Sequence, residues 1–166
     1  MKRAIVLALS VILALTMAAP TALARSDNGK APEPVSADFT VFPGAEGGSC
    51  AFPLHLDLSG KAKEITQPDG SLIITSPGLD VTATNEITGE QARFSITGTF
   101  FETTAENGDV TTKITGRNLP FDPDAGVNLT IGNFNFVFDK NGNLIKSFED
   151  TADGKGQVID VCELLS

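Results

Sequence analysis

The chain has 166 residues, with 12 Lys and Arg against 21 Asp and Glu, a formal charge of −9. Apart from Lys2-Arg3 at the start and the pair Lys61 and Lys63, the basic residues stand singly, so phosphate backbones and anionic membrane surfaces repel the chain and nucleic-acid binding is not expected. Eleven Phe occur with no Trp and no Tyr, which argues against sugar- and biotin-type barrels that rely on flat rings with a polar tip.

The N-terminus carries Lys2 and Arg3, then an apolar run over 4–15, then Ala22-Leu23-Ala24. A basic start, a short apolar run and an A-x-A site predict a secretory signal peptide over 1–24. Ser10, Thr16 and Pro20 interrupt the run, which falls short of the ~20 residues that span a bilayer, so no membrane span is expected after cleavage. Cleavage removes Lys2 and Arg3 and no acidic residue, taking the formal charge from −9 to −11. The remaining 142 residues suffice for one domain. Cys50 and Cys162 are the two cysteines, and an even count in an exported chain predicts a disulfide between them.

Residues 25–49 hold Pro32, Pro34, Pro43 and several glycines, with Phe39, Val41 and Phe42 as apolar anchors. This composition predicts a flexible spacer with no core of its own. The β-domain is expected over 50–166. Phe52, Leu54, Leu56 and Leu58 alternate with Pro53, His55, Asp57 and Ser59, the two-residue period of a half-buried strand. Gln67-Pro68-Asp69-Gly70 is a turn, and 72–74 is a short apolar strand broken by Ser76-Pro77-Gly78. Leu79, Val81 and Ala83 alternate with Asp80, Thr82 and Thr84 before a turn at Thr88-Gly89-Glu90. Phe94, Ile96, Gly98 and Phe100 then share a face, and Glu106-Asn107-Gly108-Asp109 turns the chain into Val110, Thr112 and Ile114. Residues 118–126 form a loop with two prolines. Val127, Leu129 and Ile131 alternate, and after Gly132 so do Phe134, Phe136 and Phe138, ahead of Asp139-Lys140-Asn141-Gly142-Asn143, which has the Asn and Gly of a tight hairpin. Val158, Ile159 and Val161 are the last apolar segment.

The fold class is therefore all-β. Consecutive hairpins favour an antiparallel up-and-down β-barrel of about eight strands, with a two-sheet β-sandwich as the alternative. In the barrel, the cysteine pair would tie the first and last strands as neighbours.

His55, Asp57 and Ser59 are the residue types of a hydrolytic triad. At spacing i, i+2, i+4 they run parallel on one strand face, with alternate Cα atoms ~6.7 Å apart, which excludes the contacts a triad needs. No catalytic residue is assigned. An extracellular hydrolase would need two converging carboxylates, and Glu102, Glu106 and Asp109 read as loop residues. Asp139, Asn141, Asn143 and Asp150 suit alternating oxygen ligands of a calcium loop. Leu144 stands where an EF-hand has glycine and Asp150 where it has glutamate, so turn formation by side-chain-to-backbone bonds is favoured. No cofactor is expected. Threonines 82, 84, 97, 99, 111 and 115 predict a solvated sheet face. A cavity left inside the fold would be Phe-lined, with Phe94, Phe100, Phe134, Phe136 and Phe138 as candidates, and would suit a small apolar ligand.

The order Ile73-Ile74-Thr75-Ser76-Pro77-Gly78, Gly116-Arg117-Asn118-Leu119, Phe121-Asp122-Pro123, Phe136-Val137-Phe138-Asp139 and Asp160-Val161-Cys162 resembles a group of small secreted proteins of Gram-positive soil bacteria. The resemblance runs from Phe52 to the C-terminus, about 115 residues. It implies an exported single-domain β-protein and carries over no catalytic residue. The resulting expectation is a secreted, non-enzymatic binding or structural module with an extracellular partner or a small apolar ligand.

Overall fold

The computed structural model describes residues 31–45, 48–122, 126–146 and 156–166. The expected signal peptide lies outside the described residues. Among them, no helix is long and apolar enough to cross a membrane.

Among the described residues, eleven strands form one antiparallel sheet: β1 (Glu33–Val41), β2 (Leu54–Thr66), β3 (Leu72–Thr75), β4 (Asp80–Asn85), β5 (Gln91–Ser95), β6 (Gly98–Thr104), β7 (Val110–Asn118), β8 (Phe121–Asp122), β9 (Gly126–Phe138), β10 (Leu144–Lys146) and β11 (Gln157–Asp160). A four-residue helix, α1 (Val161–Leu164), follows. The all-β class expected from the sequence is found.

Three hairpins share one turn. In each, a three-residue loop ends in glycine at positive φ: Gly70, Gly108 and Gly142 lie at +85°, +86° and +83°. The flanking residue donates its N–H across the loop: Gln67 to Ser71, Ala105 to Asp109 and Asp139 to Asn143, each at 2.8 Å. Only glycine enters that backbone region without a steric cost, which is why Asp-Gly and Asn-Gly mark these turns in the sequence.

The strand order is β10-β9-β7-β6-β3-β2-β4-β5, with β1 on β2 and both β8 and β11 on β9. This is not the sequential order of an up-and-down barrel, and the ends of the path, β5 and β10, do not pair with each other. The departure has a local cause in β2. Its residues 54–59 lie between β1 and β4, whereas 63–66 pair with β3. The change of partner falls around Gly60, at φ +152°, where a Cβ would collide with the Gly78 carbonyl. The β4–β5 hairpin thus continues the path beyond β2, while β3 carries it on to β6.

A second departure concerns the stretch expected to be a flexible spacer. Glu33–Val41 is β1, paired with β2 along its whole length, and Val35, Phe39 and Val41 pack against the core. Proline at 34 is tolerated because β1 pairs only with β2 and is an edge strand.

Two apolar clusters hold the fold. In the larger, Leu54, Leu56, Val81, Ala83 and Phe94 of the β1-β2-β4-β5 part meet Val127 and Leu129 of β9 and Val161 and Leu165 of the C-terminus. In the smaller, Ile114, Phe134 and Phe136 pack with Phe100, Phe138 and Leu144. Each fully buried Leu, Val, Ile or Phe contributes ~1.5–3 kcal/mol. Asn85, 2 % exposed, donates from its amide to the Leu165 carbonyl at 2.8 Å and accepts from the Ile87 N–H. It therefore fixes the C-terminus against the β4–β5 turn.

Cys50 and Cys162 are bonded, with Cα atoms 5.2 Å apart across a separation of 112 residues. The pair joins the segment before β2 to α1, rather than two neighbouring strands of a closed meander. Asp160 caps α1 by accepting the N–H groups of Cys162 and Glu163 at 2.8 and 3.0 Å.

Candidate functional site

The register of β3, β6, β7 and β9 aligns side chains in rows. Ile74, Phe100, Ile114 and Phe134 form one row; Leu72, Glu102, Thr112 and Phe136 form the next. Paired residues share a face, so this inner face is apolar except at Glu102 and Thr112. Across from it stand Phe39 of β1, Leu56 and Leu58 of β2, and Phe121 of β8. Between the two sides lies a cavity of about 150 Å3. Its wall includes Phe100, Ile114, Phe136 and Phe138 on one side and Phe39, Leu56, Leu58 and Phe121 on the other, with Ser76, Thr112 and Asn118 as its polar members.

Three of the five expected cavity phenylalanines, Phe100, Phe136 and Phe138, line this space. The other two do not. Phe94 lies on β5 in the larger cluster, because β5 belongs to the other part of the sheet. Phe134 is 1 % exposed, its ring packed so tightly on Gly156 that a Cβ there would overlap it. Phe39 and Phe121 also line the cavity; they fall in stretches whose proline-rich composition predicts a spacer and a loop.

The polar members differ in their commitments. The Ser76 hydroxyl donates to the Ile96 carbonyl at 2.8 Å and accepts the Gly98 N–H at 3.2 Å. The Asn118 amide donates to the Thr115 carbonyl at 3.0 Å. Thr112 is 5 % exposed, and no side-chain hydrogen bond joins it to another described residue. Its neighbour in the row, Glu102, is half-buried, and that burial pushes its carboxyl above the usual range.

His55, Asp57 and Ser59 stay on the outer face, in register with Thr40, Asp38 and Ser36 of β1. The structure instead brings Thr40 and Asp38 to His55: the Thr40 hydroxyl is 3.3 Å from Nδ1 and an Asp38 carboxylate oxygen 3.6 Å from Nε2. The resemblance to a nucleophile-base-acid relay ends at the proton. Thr40 donates its hydroxyl hydrogen to Glu86 at 3.2 Å, so that proton is directed away from the imidazole. Asp38 is 75 % exposed, and the cluster is a solvated surface network.

Asp139 uses both carboxylate oxygens within its own turn. One accepts the N–H groups of Asn141 and Asn143 at 2.8 and 2.9 Å, and the other accepts the Asn143 amide at 2.7 Å. The Asn143 side-chain and backbone bonds hold its pKa down at about 2. Asn141 and Asn143 thus serve the turn, and Asp150 lies outside the described residues. Among the described residues, no group of three or more His, Cys, Asp and Glu is placed to hold a metal ion. Glu106 and Asp109 belong to the exposed β6–β7 turn, where Asp109 accepts the Asn107 amide at 2.7 Å.

The outer face of β6, β7, β9 and β10 presents Phe101, Thr103, Thr111, Lys113, Asn135, Val137 and Lys146 around a shallow depression. Of the threonines expected on a solvated sheet face, Thr111 lines this depression and Thr99 and Thr115 pair with each other on the same face, whereas Thr82 and Thr84 lie on β4. No family model, no curated protein and no solved structure matches this chain.

Proposed function

We propose that this chain is a secreted, non-enzymatic binding module that carries a small apolar group in the cavity between the two parts of its sheet, and that those parts form a two-layer sandwich rather than a barrel. The observation that carries the reading is the cavity itself: about 150 Å3, walled by Phe, Leu and Ile from seven strands. An apolar cavity of ~150 Å3 stays dry and takes a single benzene-sized ring. That scale selects one ring or a short alkyl chain and excludes a long fatty acid. The unclosed strand path supports the sandwich, and the Cys50–Cys162 bond suits an oxidising compartment outside the cell. The alternative of a hydrolase gains nothing from the carboxylates: apart from Glu64 and Glu102, which sit in different rows of the inner face, they are spread over the turns and the outer face.

Native mass spectrometry of the protein purified from its own culture medium tests this reading. A reproducible added mass of one small organic molecule, lost in an Ile74→Phe variant that fills the cavity, is the expected result. A bound species of unchanged occupancy in that variant would place binding elsewhere.

A further inference from the structure

Resting on that reading, we propose that the ligand is a small apolar amine, its ring or short chain among the cavity phenylalanines and its ammonium group at Glu102. Charge on this part of the sheet is segregated by face. Among the described residues, Glu64 and Glu102 pair with Ile74 and Thr112, on the side that carries the cavity. Lys63, Lys113 and Lys146 pair with Thr75, Phe101 and Val137, on the opposite side. The inner face thus offers carboxylates to a ligand and no competing cation.

The Glu102 carboxylate has no hydrogen bond or ion pair with another described residue, although it is half-buried. Removing a carboxylate from water is unfavourable unless a partner compensates it, and an ammonium group supplies both charge and N–H donors. Thr112, next in the row and part of the cavity wall, adds an uncommitted hydroxyl oxygen that accepts a second N–H. The faces of Phe100 and Phe136 attract a cation held within ~6 Å of a ring centroid. A neutral alcohol would satisfy Thr112 and leave Glu102 uncompensated. The overall negative charge raises the local concentration of cations around the entrance.

Calorimetric titration of the folded, oxidised protein at pH 7.5 with benzylammonium, benzyl alcohol and toluene tests the proposal. The amine is expected to bind about tenfold tighter than the alcohol, the scale of one charge-assisted hydrogen bond in a half-buried site. Glu102→Gln should bring that ratio close to one, and Thr112→Val should weaken amine binding several-fold. A circular-dichroism melt of each variant establishes that it folds. Equal or tighter binding of the alcohol to the wild type, or a ratio unchanged in Glu102→Gln, would overturn the amine inference. Toluene binding with no preference for the amine would do so while leaving the cavity reading intact. No binding by any of the three would remove both.

Discussion

Replacing Cys50 and Cys162 together by alanine should lower stability without changing the strand pairing. The bond closes a loop with a sequence separation of 112, and loop-closure entropy for ~100 residues gives an upper value of about 4.7 kcal/mol. Residual structure in the unfolded chain lowers this, so about 3 kcal/mol is a reasonable working value. For a domain of this size that corresponds to a fall in Tm of about 10 °C. The loss should begin at one place. Val161 and Leu165, 0 and 2 % exposed, flank Cys162 and are buried in the larger cluster. Once the bond is gone, they are held by that packing, by the Asn85 bond to Leu165 and by the short β11 pairing. Differential scanning calorimetry gives the Tm shift, and hydrogen exchange should show β11 and α1 opening before β2 and β4. A Tm within 1 °C of the wild type, or two free thiols in the intact mass of the mature protein, would refute the reasoning.

Phe134→Ala should cost about 3–5 kcal/mol, because the ring is buried against Gly156 and cannot be replaced by collapse; chemical denaturation measures it. The Asp139 carboxyl should titrate near 2 by NMR. Its folded pKa lies below the ordinary value, so its contribution to the hairpin is complete above about pH 4 and is lost as the pH falls through about 2. Asn143→Ala, which removes the largest cause of that shift, should raise the Asp139 pKa toward the ordinary carboxylate value. Glu102 has the opposite sign. Its pKa is raised in the folded state, so its ionised form lowers stability at neutral pH, and stability from this group is regained as the pH falls toward the unfolded value. Glu102→Gln should therefore melt above the wild type at pH 7, with the difference shrinking as the pH falls toward about 4.5.

The local structure was largely legible in the residues. Pro68-Asp69-Gly70, Asn107-Gly108 and Asn141-Gly142 specify their turns because only glycine takes the closing φ cheaply, and the alternation of Leu54, Leu56 and Leu58 specifies a face. What periodicity does not encode is which strand lies beside which. Nothing in 54–66 announces that one strand serves two sets of partners, so the position of β2 between β3 and β4 was out of reach, and the expected barrel with it. β1 was obscured for a different reason. Its alternating Val35, Ala37, Phe39 and Val41 are interspersed with prolines and small polar residues that match spacer composition. Missing β1 concealed two further features: Phe39 as part of the cavity wall, and the contact of Thr40 and Asp38 with His55. The cavity candidates divided according to sheet membership, with Phe100, Phe136 and Phe138 on strands facing the space and Phe94 on a strand that packs elsewhere.

The measurement that bears most directly on the cavity is a two-dimensional 15N–1H and methyl NMR titration of the oxidised protein with toluene, for the wild type and for Ile74→Phe. The structure predicts saturable shifts confined to Leu56, Leu58, Phe100, Thr112, Ile114 and Phe136 in the wild type, and their loss in the variant. Shifts scattered over the outer face, or no saturation up to the solubility of toluene, would contradict a ligand-binding cavity.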